Sequence, residues 1–365
     1  MRDAVVIAAI WRLCLALFGV IVHYAVPACT CQWSSALLSS HWSANPLSLV
    51  IDVASRGDAR YYVAAAQHGY HYSTVHQSSM GFYPMYPVLI RLGSLLLGND
   101  YVAAFTISTL CLFVAVALLA VWLVDHGLGT HTRRVTALLL CFPFAFFYGA
   151  MYTESLYLML VLGAFLAAER GRWGLTALAM FLITLTRPTG IVLLLPLAIL
   201  AAQHGRRIRW KAALPGVAAL LAQGGFMTYQ YLRFGTPFAY VRAKSVPGWA
   251  VSPSRIAHDL LLQGKPGRSS ALLMLVLAIA ILFLTTVPGV YRRFGPTYAV
   301  YVAVAVLASL SAGLPGMHRY VIVAFPAFAD IAIRLGRRSF FVVALASTYG
   351  LLMFDAVYAG GYGLA

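Results

Sequence analysis

Asp58 is one of only ten carboxylates in 365 residues, and it stands in a polar stretch, Ser55-Arg56-Gly57-Asp58-Ala59-Arg60-Tyr61-Tyr62, between two strongly apolar regions. Aromatic and histidine residues follow it, in Gln67-His68-Gly69-Tyr70 and then Gly81-Phe82-Tyr83-Pro84-Met85-Tyr86-Pro87. A carboxylate flanked by arginines and rings suits the removal of a proton from a hydroxyl. It can equally pair with Arg56 or Arg60 and simply anchor its segment.

Four further segments carry candidate chemistry. Glu154 is the lone acid at the turn of an apolar hairpin, Phe142 to Tyr157. An ionisable group in such a setting is costly and marks a functional site by default, although a first-turn Glu beside Thr153 and Ser155 also suits a helix start. Arg187 precedes Pro188, which ends or kinks a helix there. Its planar guanidinium can grip a phosphate or snorkel to the membrane interface. Phe234-Gly235-Thr236-Pro237-Phe238-Ala239-Tyr240 leads to Lys244 and Trp249, and Met317-His318-Arg319-Tyr320 opens a late apolar run. His68, His71 and His76 have loop spacings that make a poor metal site, and no metal or other cofactor is expected.

These residues are positioned by a chain that is 61% hydrophobic and only 10% charged, with a mean hydropathy of +0.82. Soluble domains average about 25% charged residues, so the expectation is an all-α polytopic membrane protein forming one domain over residues 1–365. The net charge of +16 does not indicate nucleic acid, because the basic residues fall in short clusters between apolar runs. The first run, 4–26, is too long for a signal-peptide core and reads as a retained span. Cys29 and Cys31 read as unlinked thiols, since a disulfide at that spacing is strained.

Apolar runs at 4–26, 101–124, 134–149, 152–168, 173–187, 189–203, 212–232, 270–290, 296–313, 318–335 and 339–358 predict about eleven transmembrane helices. Several are shorter than the ~20 residues of a straight span, so broken helices are expected. A cytoplasmic N-terminus puts fourteen of the twenty-six basic residues inside, among them Arg2, Arg133, Arg134, Arg170, Arg292, Arg293 and Arg334, as the positive-inside rule requires. Arg12, two turns into the first span, could snorkel inward. Two long hydrophilic segments, 27–100 and 233–269, then lie outside, the first carrying short interfacial helices such as one over 84–98. Asp58, Glu154, Arg187, Trp249, His318 and Arg319 all fall at that outer face.

The sequence resembles the PIG-V-like mannosyltransferases, a family of the GT-C class of multi-span glycosyltransferases. The resemblance rests on Asp-Ala-x-x-Tyr at Asp58 to Tyr62 with Gly69-Tyr70 following, and on Phe-Tyr-Pro-Met-Tyr-Pro at 82–87. It also rests on the Phe-Pro…Tyr-Thr-Glu-Ser-Leu run at 142–156, Arg-x-x-Gly at Arg187 to Gly190, and Phe-Gly-Thr-Pro with Trp249. The family usually has Trp before the catalytic Asp, where this chain has Gly57, and often Asn after the motif Arg, where it has Pro188.

The resemblance implies a GT-C-like bundle and a metal-independent, inverting transfer of a sugar, mannose first, from a polyprenyl-phosphate donor to an acceptor hydroxyl at the outer face. The donor, a lipid- or protein-linked acceptor and the membrane would be the partners, in the plasma (inner) membrane of a prokaryotic relative. Asp58 would be the base, with Glu154 the second catalytic carboxylate orienting the acceptor or a neighbouring Arg. Arg187 and Arg319 would neutralise the departing phosphate. Arg60, Tyr62, His68, Tyr86, Trp249 and His318 complete the expected substrate-binding set. The rival reading is a lipid or sugar transporter or flippase without transferase chemistry. A carrier needs its ionisable groups near the midplane, reachable from both sides, whereas here they crowd one boundary.

Overall fold

A computed structural model describes residues 1–26, 46–203, 210–246, 268–311 and 319–362. Among them the fold is all-helical. In chain order the α-helices are α1 (Arg2–Ala25), α2 (Pro46–Ala54), α3 (Ala59–His68), α4 (Met85–Leu97), α5 (Asp100–Asp125), α6 (Thr132–Cys141), α7 (Glu154–Glu169) and α8 (Trp173–Thr186). They continue with α9 (Leu194–Gln203), α10 (Leu214–Phe234), α11 (Ala239–Lys244), α12 (Arg268–Phe294), α13 (Pro296–Ser311), α14 (Phe325–Arg334) and α15 (Arg337–Ala359).

Four helices, α1, α5, α15 and the Met274–Phe294 part of α12, are long and apolar enough to cross a membrane. Their outward surfaces carry Val6, Ile10, Leu13 and Leu17 on α1 and Phe341, Val342 and Leu345 on α15. Apolar faces of that extent are stable only against lipid or a partner. The chain is thus an integral membrane protein. Of the other predicted runs, 212–232 folds as the 21-residue α10 and the rest as shorter helices, and the sequence shows why. Pro188 ends α8 at Arg187, which is extended (φ −153°, ψ 143°), and a 3₁₀ segment leads into α9. Beyond Cys141, Pro143 starts a further 3₁₀ turn before α7. The predicted short helix over 84–98 is present as α4, stopped by Gly98 at φ +71°.

α7 lies at the centre. It is apolar around its whole circumference and buried almost throughout, as a helix without a polar face must be. It packs on α5 and α8, and α8 packs on α10. Its sixteen residues rise about 24 Å, and its two glutamates mark two ends of the molecule. Near Glu169 the Tyr298 hydroxyl donates to that carboxylate at 2.6 Å, Arg170 reaches Asp125 at 2.6 Å and Arg334 reaches Asp330 at 2.6 Å. Arg170, Arg293 and Arg334 are thus at one end with their acids, and Asp58, Glu154, Arg187 and Arg319 at the other.

Arg12 does not snorkel. It is buried between α1 and α5, donating to Thr109 Oγ1 at 3.3 Å and stacking 4.3 Å over the Phe105 ring. The hydroxyl and the ring engage Nε and one face of the guanidinium, while Nη2 stays buried without a hydrogen-bond partner among the described residues.

Candidate active site

Asp58 opens α3 as its N-cap, yet its carboxylate makes no cap bond. Helix polarity still favours a negative charge there. The carboxylate instead meets Arg319, whose Nη1 donates to Asp58 Oδ2 at 2.6 Å. Arg56 turns away to Asp52 at 2.5 Å, and Arg60 stacks on Tyr61 and donates to its hydroxyl at 2.9 Å. The main-chain N–H of Asp58 donates to the Tyr152 hydroxyl at 2.8 Å, and that hydroxyl donates to Arg56 O at 3.0 Å. Tyr358 adds bonds to Ala54 O and Arg56 O, both 3.1 Å. Gly57 makes the approach possible. Its φ is +64°, and a Cβ there would stand 2.5 Å from the Tyr152 hydroxyl oxygen.

Glu154 is fully buried at the first residue of α7. The neighbours expected to cap this helix do other work: Thr153 Oγ1 accepts from Arg187 Nε at 2.8 Å, and the Ser155 hydroxyl donates to Tyr148 O at 2.8 Å. Glu154 Oε1 receives Arg319 Nε at 2.9 Å and lies 2.8 Å from Arg187 Nη2, a charge contact without hydrogen-bond alignment. Its Oε2 is buried with no hydrogen-bond partner among the described residues.

Arg187 is buried, not at the interface, and lies between the Tyr157 and Tyr320 rings at 5.1 and 5.0 Å. Gly190 lets the chain fold back under it, since a Cβ there would meet Ile183 Cγ2 at 2.6 Å. Arg319 covers the rings of Tyr152 at 4.4 Å and Phe147 at 5.1 Å. Two acids and two arginines thus alternate, Asp58–Arg319–Glu154–Arg187, and their charges sum to zero. Pairing is what makes charges tolerable at such depth. Asp58 keeps 16% of its side chain open while Glu154 keeps none.

A fifth ion joins them. Lys244 of α11 lies 4.6 Å over the Phe82 ring. Burial lowers its pKa from 10.5 to about 8, Asp58 pulls it up, and Arg319 pushes it down. Sequence reasoning reached Lys244 without assigning it a role, and missed Tyr152 although it lies within a quoted motif. A lone Lys beside Arg242 carries no signal of its fold partners.

The remaining expected residues divide. Tyr62 is buried behind Asp58, with its ring edge-on to Phe82, Tyr86 and Tyr152. Tyr86 supports this wall from deeper inside, and its hydroxyl is committed to Ala104 O at 2.9 Å and Ser108 Oγ at 2.6 Å. His68 is not brought to the cluster: it is exposed at the far end of α3, about 15 Å along the helix from Asp58. Trp249 and His318 lie outside the described residues, as do Cys29 and Cys31.

An all-helical membrane protein with a buried acid–arginine cluster at one end is the class that fold and site define. Residues 13–205 match the family model described as Mannosyltransferase (PIG-V), and the chain belongs to that family. It is similar to GPI alpha-1,6-mannosyltransferase 2 of Rattus norvegicus, 34% identical over 151 residues that make up 38% of this chain and 30% of that protein. The protein of the same name from Cricetulus griseus is 33% identical over 151 residues, 38% of this chain and 29% of its own length. The match thus spans about three tenths of the length of these curated relatives. Asp58, Glu154 and Arg187 fall inside the family match, and Lys244 and Arg319 beyond it.

Proposed function

We propose that the protein is an inverting mannosyltransferase that moves mannose from a polyprenyl-phosphate donor to an acceptor hydroxyl. The observation that carries this reading is the shared Arg319: it holds a partly open carboxylate, Asp58, beside a sealed one, Glu154. In this reaction the acceptor oxygen attacks the anomeric carbon and its proton passes to Asp58. The bond from that carbon to the phosphate oxygen breaks, and the electron pair leaves on the phosphate. Base catalysis of this kind contributes about 10²–10⁴-fold.

Charge grows on the departing phosphate, and preorganised cations aimed at it lower the barrier. Arg187, Arg319 and Lys244 supply them. A guanidinium carries five N–H donors, and the two acids engage only Nε and Nη1 of Arg319. Lys244 gives the five-ion group a net positive charge, which suits an anionic donor. Glu154 Oε2 is unpartnered but buried, so Glu154 would act on the substrate through the two arginines it holds. We place this end at the outer membrane face and the N-terminus in the cytoplasm of a plasma membrane, with the shorter helices completing about eleven passes in a single domain. A carrier is disfavoured because the ionised groups of the site cluster at one end.

The test is purified protein in detergent with polyprenyl-phosphate mannose and a panel of lipid- and peptide-linked acceptors. Transfer with inversion at the anomeric carbon is expected. Failure with this donor while polyprenyl-phosphate glucose or arabinose is used would overturn mannose. Failure with every donor would overturn the transferase reading.

A further inference from the structure

At the opposite end, α12 and α14 frame a half-open cavity of about 540 Å³, lined by charged side chains, that the proposed chemistry does not use. Thr285, Gly289, Arg292 and Arg293 line it from α12, and Asp330 and Arg334 from α14. Its construction differs from a solvated basic surface. Asp330 is fully buried; Arg293 Nε donates to its Oδ1 at 3.2 Å, and Arg334 Nη2 lies 2.6 Å from its Oδ2 without hydrogen-bond alignment. One carboxylate thus pins two guanidiniums from opposite walls, while both keep open faces, at 36% and 45% side-chain exposure.

Gly289 is the second device. A Cβ there would stand 1.4 Å from Arg334 Nη2, so the guanidinium lies flush on the bare helix backbone. Pro288, inside α12, precedes it and removes a helical N–H, which loosens the helix where the cavity opens. Arg292 at the rim has no ion-pair partner among the described residues. Three arginines against one carboxylate leave the cavity with two uncompensated positive charges at the end of a spanning helix.

We propose that this cavity binds a phosphate group, presented by an anionic lipid headgroup or as a soluble phosphate. Guanidinium forks match phosphate oxygens two at a time, and basic pockets between spanning helices are built to take lipid headgroups. Asp330 orients Arg293 and Arg334 so that they are held for the anion in advance. The Thr285 hydroxyl, now donating to Leu282 O at 2.7 Å, can turn to a phosphate oxygen. The site is independent of the reading of the Asp58 cluster.

The test is native mass spectrometry of the intact protein in detergent, titrated separately with phosphatidylglycerol, phosphatidylcholine and inorganic phosphate. Saturable one-to-one retention of phosphatidylglycerol or of phosphate, but not of phosphatidylcholine, is expected, and the arm that saturates names the source. Arg292→Gln removes a group with no hydrogen bond or ion pair among the described residues, so it should weaken that binding at least about tenfold with unchanged melting in the ligand-free state. Gly289→Ser, which forces Arg334 out of its seat, should weaken the binding as well, with some loss of melting because Asp330 loses a partner. Equal retention of phosphatidylcholine, or unaltered anion binding in both variants, would overturn the proposal.

Discussion

The main-chain N–H of Asp58 donates to the Tyr152 hydroxyl at 2.8 Å. Ninety-four residues separate the two, and the bond ties the turn before α3 to the hairpin before α7. The same hydroxyl donates to Arg56 O, so one side chain fixes the backbone on both sides of Gly57. Tyr152→Phe leaves the Asp58 N–H without its partner, at about 1–3 kcal/mol, while Arg56 O keeps the Tyr358 hydroxyl. Turnover should fall with little change in donor affinity, because what loosens is the placement of Asp58. Kinetics with the donor varied, and denaturant unfolding beside them, check both parts.

Gly57→Ala should be worse than Tyr152→Phe. The added methyl group meets the tyrosine oxygen at 2.5 Å, and φ is +64°, a region that costs about 1–2 kcal/mol for a residue with a Cβ. The position at which the resembled family usually has Trp is therefore closed here by Tyr152. If the double variant with Tyr152→Phe is no less stable than Gly57→Ala alone, the clash with the hydroxyl is the cause.

Asp58→Asn should abolish transfer, by about 10²-fold or more. The amide oxygen can still accept from Arg319, so the fold and donor binding should stay close to wild type. This separates a base from a mere anchor for the arginine, which the amide could largely replace. Turnover above a tenth of the wild-type value would remove Asp58 from the reaction.

Arg187→Lys should fail where an interfacial arginine would tolerate it. Arg187 holds Thr153 through Nε and approaches Glu154 through Nη2, both at 2.8 Å. An ammonium is one point charge and cannot hold both. Arg187→Ala removes a buried partner altogether, and losses of about 3–5 kcal/mol follow from that. Wild-type kinetics and melting for Arg187→Lys would return the residue to a membrane anchor.

Asp58, Glu154, Arg187 and Arg319 were legible in the sequence as separate charges in apolar surroundings, where cost alone marks them. Their pairing was not. The nearest acid–base neighbours of Asp58 are Arg56 and Arg60, yet its cation is 261 residues away, and only the packing of α7, α8 and the segment before α14 brings that cation there. The same limit explains Arg12, whose partner Thr109 lies on α5, and His68, which follows the motif closely but is the last residue of its helix, turned away from the cluster. Helical content was legible from the apolar runs. The break at Pro188 was legible too, since the runs were divided there, but the one at Pro143 was not: it splits the run 134–149, which composition alone makes continuous.

Lys244 gives the pH dependence. Its pKa in the folded protein is about 8, lowered from 10.5 chiefly by burial. If its charge meets the donor phosphate, donor affinity is present below about pH 8 and falls as pH rises through that value. Stability should move the other way. Between about pH 8 and 10.5 the unfolded chain holds a proton that the folded chain has lost, so this group makes the fold more stable as pH rises through that window. Donor KM and denaturant midpoint should therefore rise together over this window, which distinguishes loss of a binding charge from loss of structure, where KM would rise as the midpoint fell. Lys244→Met should raise KM at neutral pH and flatten its rise with pH. Lys244→Arg, which does not deprotonate in this range, should carry tight binding past pH 9. A KM profile shared by wild type and Lys244→Met would place Lys244 outside the donor site and leave the phosphate to the two arginines.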